Sequence, residues 1–169
     1  TERMREIKIL SREYCDLKSK LTTVRNQLHA KCSAYGCPVS VRKRLGYQKK
    51  MLERQVSQVE MELRIMVKGD NILSQQVERL ESIPGIGFMT IVCVLGETNA
   101  FALMHNSKQL VSYCGLDIQH RQSGLKAGKT TISKKGNSFI RSALYMPALS
   151  ALQHNPVLKV FYGRLVESK

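Results

Sequence analysis

Carboxylates all but vanish from the second half of this 169-residue chain. Residues 83–169 carry 10 Lys or Arg but only Glu97, Asp117 and Glu167. Three scattered acids are too few for a two-metal centre, because hard divalent cations need several convergent oxygen ligands. The same scarcity leaves a largely unopposed positive field, which favours a polyanion, and nucleic acid is the common one. Residues 1–82 carry 17 basic and 10 acidic side chains, intermixed in sign as in a soluble helix. The net charge is +14.

Other absences narrow the class further. No apolar run approaches the ~20 residues that a membrane-spanning helix needs, so no membrane partner is expected. The five cysteines (Cys15, Cys32, Cys37, Cys93, Cys114) are odd in number and form no CxxC pair. That is the usage of reduced thiols in a cytoplasmic protein. His29, Cys32 and Cys37 lie close together but lack a fourth ligand, and structural zinc sites are normally closed by four. No metal or other cofactor is expected in this chain. It opens at Thr1 within a helical pattern and without an initiator Met, and is read as a piece of a longer protein.

What is present begins with two apolar seams. Ile7, Leu10, Tyr14, Leu17, Leu21, Val24 and Leu28 alternate spacings of three and four, the a/d pattern of a coiled coil. Tyr35-Gly36-Cys37-Pro38 then stops the helix. Leu45, Leu52, Val59, Met66, Leu73 and Leu80 follow at intervals of seven, accompanied by Val56, Leu63 and Val77. Gly69-Asp70-Asn71 predicts a kink or interruption. The expected fold is mostly α: an antiparallel coiled-coil hairpin over 1–81, then a compact helical domain over 82–169 with at most a short β element. A seam this long and narrow can also pair with a second chain, so a homo-oligomer through the coiled coil is expected.

Ser82-Ile83-Pro84-Gly85-Ile86-Gly87 predicts a sharp turn before the apolar run Phe88 to Leu95. Such a turn is used by helix-hairpin-helix modules, where Gly85 and Gly87 would let backbone N–H groups meet a phosphate. It serves equally as a tight connection packed into the core. A short helix is expected over Ser107 to Cys114, then a brief strand at Gly115-Leu116-Asp117-Ile118. Asn137 predicts the N-cap of a helix running to about Ser150, with Arg141 on the same face. Asn155-Pro156 starts the last helix, whose stripe of Leu158, Phe161, Tyr162 and Leu165 reads as core.

Between these helices lies a run from Arg121 to Arg141 with six bases (Arg121, Lys126, Lys129, Lys134, Lys135, Arg141) and no acid. Ser123 stands within it, and Gly124, Gly128 and Gly136 punctuate it, allowing close backbone approach to a ligand. A hydroxyl among cations suits chemistry at phosphate: the cations stabilise developing charge, and the deprotonated serine attacks. The plainer alternative is a solvated basic loop in which Ser123 caps a turn. Asp117 could orient Ser123, but stabilising a turn is the better reading.

Ile83-Pro84-Gly85-Ile86-Gly87, Phe101, Ser107-Lys108-Gln109-Leu110, Gly115-Leu116, Gln122-Ser123-Gly124, Lys135-Gly136-Asn137, Arg141, Ala143-Leu144 and Phe161-Tyr162 follow one another in a single order. That order resembles the C-terminal transposase domain of the insertion-sequence one-ten family, with its one-sixteen and nine-oh-two relatives, kin to the Piv invertase. The likeness covers residues 80–166, and the hairpin before it resembles that family's coiled-coil linker. The resemblance implies a bacterial, cytoplasmic, DNA-associated transposase or site-specific recombinase. It implies an active site in two parts: four acidic residues of a RuvC-like domain that hold Mg²⁺, and a serine that becomes joined to DNA, here Ser123. A bridge RNA guides some members. This chain has no RuvC-like portion, so by itself it is expected to bind neither catalytic metal nor react. Arg121, Lys126, Lys129, Lys134, Lys135, Asn137, Arg141, Gly85 and Gly87 are the expected DNA contacts. The alternative is a non-catalytic helix-hairpin-helix module that binds nucleic acid and dimerises through its coiled coil.

Overall fold

The two apolar seams become the two longest helices. In the computed structural model, which describes residues 2–33, 36–102, 104–119, 122–123, 126–127 and 130–167, α1 spans Glu2–Ser33 and α2 spans Val39–Lys68. Of residues 122–123 and 126–127 it describes the backbone only. Ion pairs near the open end and midway along the hairpin, Arg3–Asp70 (3.1 Å) and Arg25–Glu53 (2.8 Å), reflect the antiparallel course of α1 and α2. Ile7, Leu17, Leu21 and Val24 of α1 are buried with Leu52, Val56, Val59 and Leu63 of α2, and Leu10, Tyr14 and Leu45 pack against them. The seam is thus consumed within one chain.

The interruption at Gly69-Asp70 is a helix break with a cap. Gly69 closes α2, and the Asp70 carboxylate accepts from the amides of Ile72 and Leu73 to open α3, Asn71–Glu81. Two donors that would otherwise be orphaned at a helix start are satisfied in this way. Leu73 and Val77 of α3 enter the same core as α4 (Phe88–Thr98), whose Phe88, Ile91, Val92 and Leu95 are buried. Because α1 also packs along α4, the apolar core runs without a break from Met4 to Leu95.

Beyond α4 the chain reverses through Asn99, Ala100 and Phe101, all three with positive φ (52°, 54° and 62°). For residues with a Cβ this is strained backbone. It is held by bonds from Ala100 N to Leu95 O (2.7 Å) and from Phe101 N to Thr98 Oγ1 (3.2 Å). The partial burial of Phe101 against the core adds to them. Asn106 caps α5, Ser107–Tyr113.

Four two-residue strands follow: β1 (Ile118–Gln119), β2 (Gln122–Ser123), β3 (Lys126–Ala127) and β4 (Thr131–Ile132). β1 pairs antiparallel with β4, and β2 with β3. Ser123 stands opposite Lys126, and the β2–β3 pair is nested in sequence within the β1–β4 pair, a hairpin order of strands. The short β element expected at Gly115 to Ile118 therefore begins later and is one arm of a hairpin. Ser123 lies in a strand and not in a loop.

Helix α6 (Ser138–His154) starts where Asn137 predicts and runs one turn past Ser150. Helix α7 spans Pro156–Glu167, opened by the Asn155 side chain. Its stripe departs from expectation: Phe161 and Tyr162 are each half exposed, and α7 has no buried residue. They are not core here: among the described residues α7 packs chiefly on α6, and none of its side chains is buried.

Candidate active site

The hairpin that carries Ser123 is anchored at its root by close backbone contact. A Cβ on Gly115 (φ +64°) would collide with Gly136 N, and one on Gly136 would collide with Tyr113 O and Gly115 N. These two glycines let the end of α5 lie directly on the segment before α6, an approach that any side chain would prevent. Amide bonds from Ser133 to Asp117 O (2.8 Å), Lys134 to Gly115 O (2.9 Å) and Asn137 to Tyr113 O (2.8 Å) then zip the two sides together. The Asp117 carboxylate accepts from the hydroxyls of Ser112 (3.3 Å) and Ser133 (3.4 Å), which agrees with a turn-stabilising role.

Beneath this root lies an enclosed carboxylate. Glu97, at the C-terminal end of α4, has no exposed side-chain surface. Arg12 of α1 donates to it in a two-pronged contact (Nε–Oε1 2.6 Å, Nη2–Oε2 3.1 Å). Lys8 Nζ stands 3.3 Å from Oε2, and Asn137 Nδ2 donates to Oε2 at 2.6 Å. Burial opposes the charged form of Glu97, but the hydrogen bonds from Arg12, Asn137 and Lys8 outweigh it and hold the carboxyl below its usual range. The Tyr113 hydroxyl donates to Glu97 O (2.9 Å), and the Arg12 guanidinium also covers the Phe139 ring at 4.3 Å. Glu97 therefore joins the arm and the start of α6 through its carboxylate, and α5 through its backbone carbonyl. The sequence signal for it is a lone acid in an otherwise apolar helix, since a buried charge must be paired.

Asn137 and Arg141 are committed within the fold. Asn137 Oδ1 accepts from the amides of Phe139 and Ile140 while its amide nitrogen serves Glu97. Arg141 Nη1 donates to Cys114 O (2.7 Å) and Gly136 O (2.9 Å), clamping the hairpin root. Lys134 and Lys135 are exposed, and their ammonium groups have no partner among the described residues. Lys134 holds φ +56°, a left-handed residue immediately after β4 and Ser133. An open groove of about 950 Å³ runs beside the root, lined by Leu116, Ile132, Lys134, Arg141, Tyr145 and Met146. Its charged side chains are cationic only.

Arg121 and Lys129 lie outside the described residues, as do Gly124 and Gly128 and the side chains of Ser123 and Lys126. Gly85 and Gly87 sit in the turn between α3 and α4. Ile86 N bonds to Ile83 O, and Gly85 has φ +102°, the type II turn that Pro-Gly at its centre favours. A Cβ on Gly85 would stand 2.9 Å from Ala151 of α6, so this glycine is used for packing, whereas the corresponding space at Gly87 is open. Among the described residues no three His, Cys, Asp or Glu side chains come together to hold a metal. Glu97 and Asp117 are each engaged by protein donors.

Comparison with known proteins bears on this geometry. A model of the family described as Transposase IS116/IS110/IS902 matches residues 77–163, from the end of α3 into α7. The transposase for insertion sequence element IS1111A of Coxiella burnetii is 31% identical over 99 residues, covering 59% of this chain and 26% of that protein. The pilin gene-inverting proteins of Moraxella lacunata and Moraxella bovis are 35% and 34% identical, over 55% of this chain and 30% of each relative. The matches thus span less than a third of the relatives' own length.

Proposed function

The chain belongs to the IS116/IS110/IS902 transposase family, and from that premise we propose that it is the serine-bearing portion of an insertion-sequence transposase or recombinase. Its substrate is DNA and its reaction is exchange of phosphodiester bonds. The Ser123 hydroxyl loses its proton, and its Oγ bonds to phosphorus as one P–O bond to a deoxyribose breaks. The freed sugar oxygen takes up a proton. Attack by a hydroxyl of a second strand then breaks the Oγ–P bond and returns a proton to Ser123, so the number of phosphodiester bonds is conserved.

The observation that carries this reading is the position of Ser123 at the end of β2, on a hairpin whose root opens onto an acid-free groove. A DNA strand laid along that groove meets Lys134, with the exposed Lys135 next to it in sequence, and Arg121, Lys126 and Lys129 belong to the same acid-free run of sequence. These cations stabilise charge on the phosphoryl oxygens as it develops. Asn137 and Arg141 act one step back, by fixing the hairpin root. No step runs through a metal on this chain. The Mg²⁺ of the resemblance belongs to a RuvC-like portion outside it.

The alternative, a binding module that uses the Pro84–Gly87 turn, is less supported because Gly85 is taken up by contact with Ala151. A strand-exchange assay on the whole transposase separates the two. Ser123→Ala abolishes exchange and keeps DNA affinity if Ser123 is the nucleophile, and Lys129→Ala weakens affinity. A binding module loses function with Lys129→Ala and tolerates Ser123→Ala.

A further inference from the structure

Charge is segregated along the helical hairpin. Residues 17–52, the distal halves of α1 and α2 with the turn between them, hold nine Lys or Arg and no Asp or Glu. The rest of the hairpin, residues 1–16 and 53–82, holds eight bases and ten acids. The whole positive excess of the arm therefore lies at the end remote from α4. Antiparallel packing brings the two acid-free halves together over about 25 Å, at 1.5 Å per residue.

Local pairing does not neutralise this end. Glu53, just outside it, takes Arg25 at 2.8 Å and Lys49 at 3.8 Å. Lys20, Lys31, Arg42, Lys43, Arg44 and Lys50 are exposed and have no partner among the described residues. On α2, Lys43, Tyr47, Lys50 and Arg54 follow at spacings of four, three and four, which places them on one stripe. That stripe faces away from the buried Leu52 and Val56, and Tyr47 in its midst is 72% exposed. Like charges this dense repel one another along and between the helices, which costs stability and adds nothing to the apolar seam. A bound polyanion removes that cost.

We propose that the distal end of the arm is a second DNA-binding surface, gripping the backbone of duplex DNA without regard to sequence. It begins about 8 Å along α1 from the Arg12–Glu97 contact that supports the serine hairpin and extends to about 32 Å from it. Family membership supplies the polymer, and the length matches about seven base-pair steps of a straight duplex at 3.4 Å each. The inference rests on the proposed function only in taking DNA as the partner. Its cations are separate from those of the hairpin and its root.

The test is a salt titration of binding to a random-sequence duplex, read by fluorescence anisotropy. It compares the unaltered chain, the arm variant Lys43→Gln/Arg44→Gln/Lys50→Gln, and the root variant Lys134→Gln/Lys135→Gln. Each neutralised phosphate contributes roughly 0.9 to the log–log slope, so the arm variant should lower the slope by up to about 2.7 while its helical circular dichroism is unchanged. A slope equal to that of the unaltered chain overturns the proposal, as does a loss confined to an RNA hairpin offered in parallel. If only the arm inference is wrong, the root variant alone lowers the slope. If DNA is not the partner at all, the unaltered chain shows no salt-dependent binding to the duplex.

Discussion

Replacing Glu97 by Gln changes one charge in a carboxylate that has no exposed surface and three donors around it. Arg12, Lys8 and Asn137 would then share a single neutral acceptor. Removing one partner of a buried pair costs about 3–5 kcal/mol. Here the cationic partners keep 41% and 36% of their side-chain surface in water, and solvent takes up part of the loss. The expected destabilisation is therefore about 2–3 kcal/mol, which for a chain of this size lowers Tm by roughly 4–12 °C. The pH dependence gives the sharper test. The folded carboxyl titrates below its usual range, so its contribution is fully present above the unfolded Glu pKa of ~4.3 and is lost as pH falls through the lower folded value. Denaturant titrations of the two proteins should differ most near neutral pH and converge in acid, with amide exchange at Phe139 and Ile140 faster in the variant at pH 7. A stability difference below about 0.5 kcal/mol, within the range of an ordinary surface substitution, or one that persists unchanged into acid, refutes the idea that Glu97 ties the arm to the hairpin root.

Three further outcomes follow from the packing and the thiols. Gly136→Ala should abolish the native hairpin root, because its Cβ meets backbone atoms on α5 and cannot be moved aside. Chemical shifts of residues 113–117 read that loss, and an unperturbed spectrum counts against it. Leu52→Lys with Val59→Glu should unfold the arm and not release folded monomers, since both residues are 6% exposed within one chain; circular dichroism with sedimentation distinguishes these results. Cys15, which is only partly buried and whose thiol is lowered from its ordinary value by the neighbouring Cys93, should react with iodoacetamide at pH 7.5 before the buried Cys93 and Cys114, as peptide mapping would show.

The long helices were legible because their signal is periodic. Ile7 to Leu28 and Leu45 to Leu80 repeat at the spacing of a packed helix, and the cap at Asn137 is a side chain whose local chemistry is unambiguous. Asp70 reads from sequence only as part of an interruption, and its capping role appears in the structure. The hairpin was not legible. Its strands are only two residues long, Gln122-Ser123 facing Lys126-Ala127, too short for any alternation of apolar side chains to announce them. The Glu97 cluster joins residues 85 and 40 positions apart, a relation that exists only after folding. The exposed stripe of α7 misled for the opposite reason: helical spacing marks a face without saying what covers it. The basic end of the arm is written in the sequence but hidden in the net charge of residues 1–82, because acids at the proximal end offset bases at the distal end.

The central claim concerns a covalent bond, and the most direct measurement traps it. The whole transposase is incubated with a nicked substrate that strands the intermediate, the mixture is denatured and digested, and nucleotide-bearing peptides are located by mass spectrometry. The account predicts one phosphoserine-linked adduct at Ser123, absent from Ser123→Ala. An adduct on another residue, or strand exchange that survives Ser123→Ala, would contradict it.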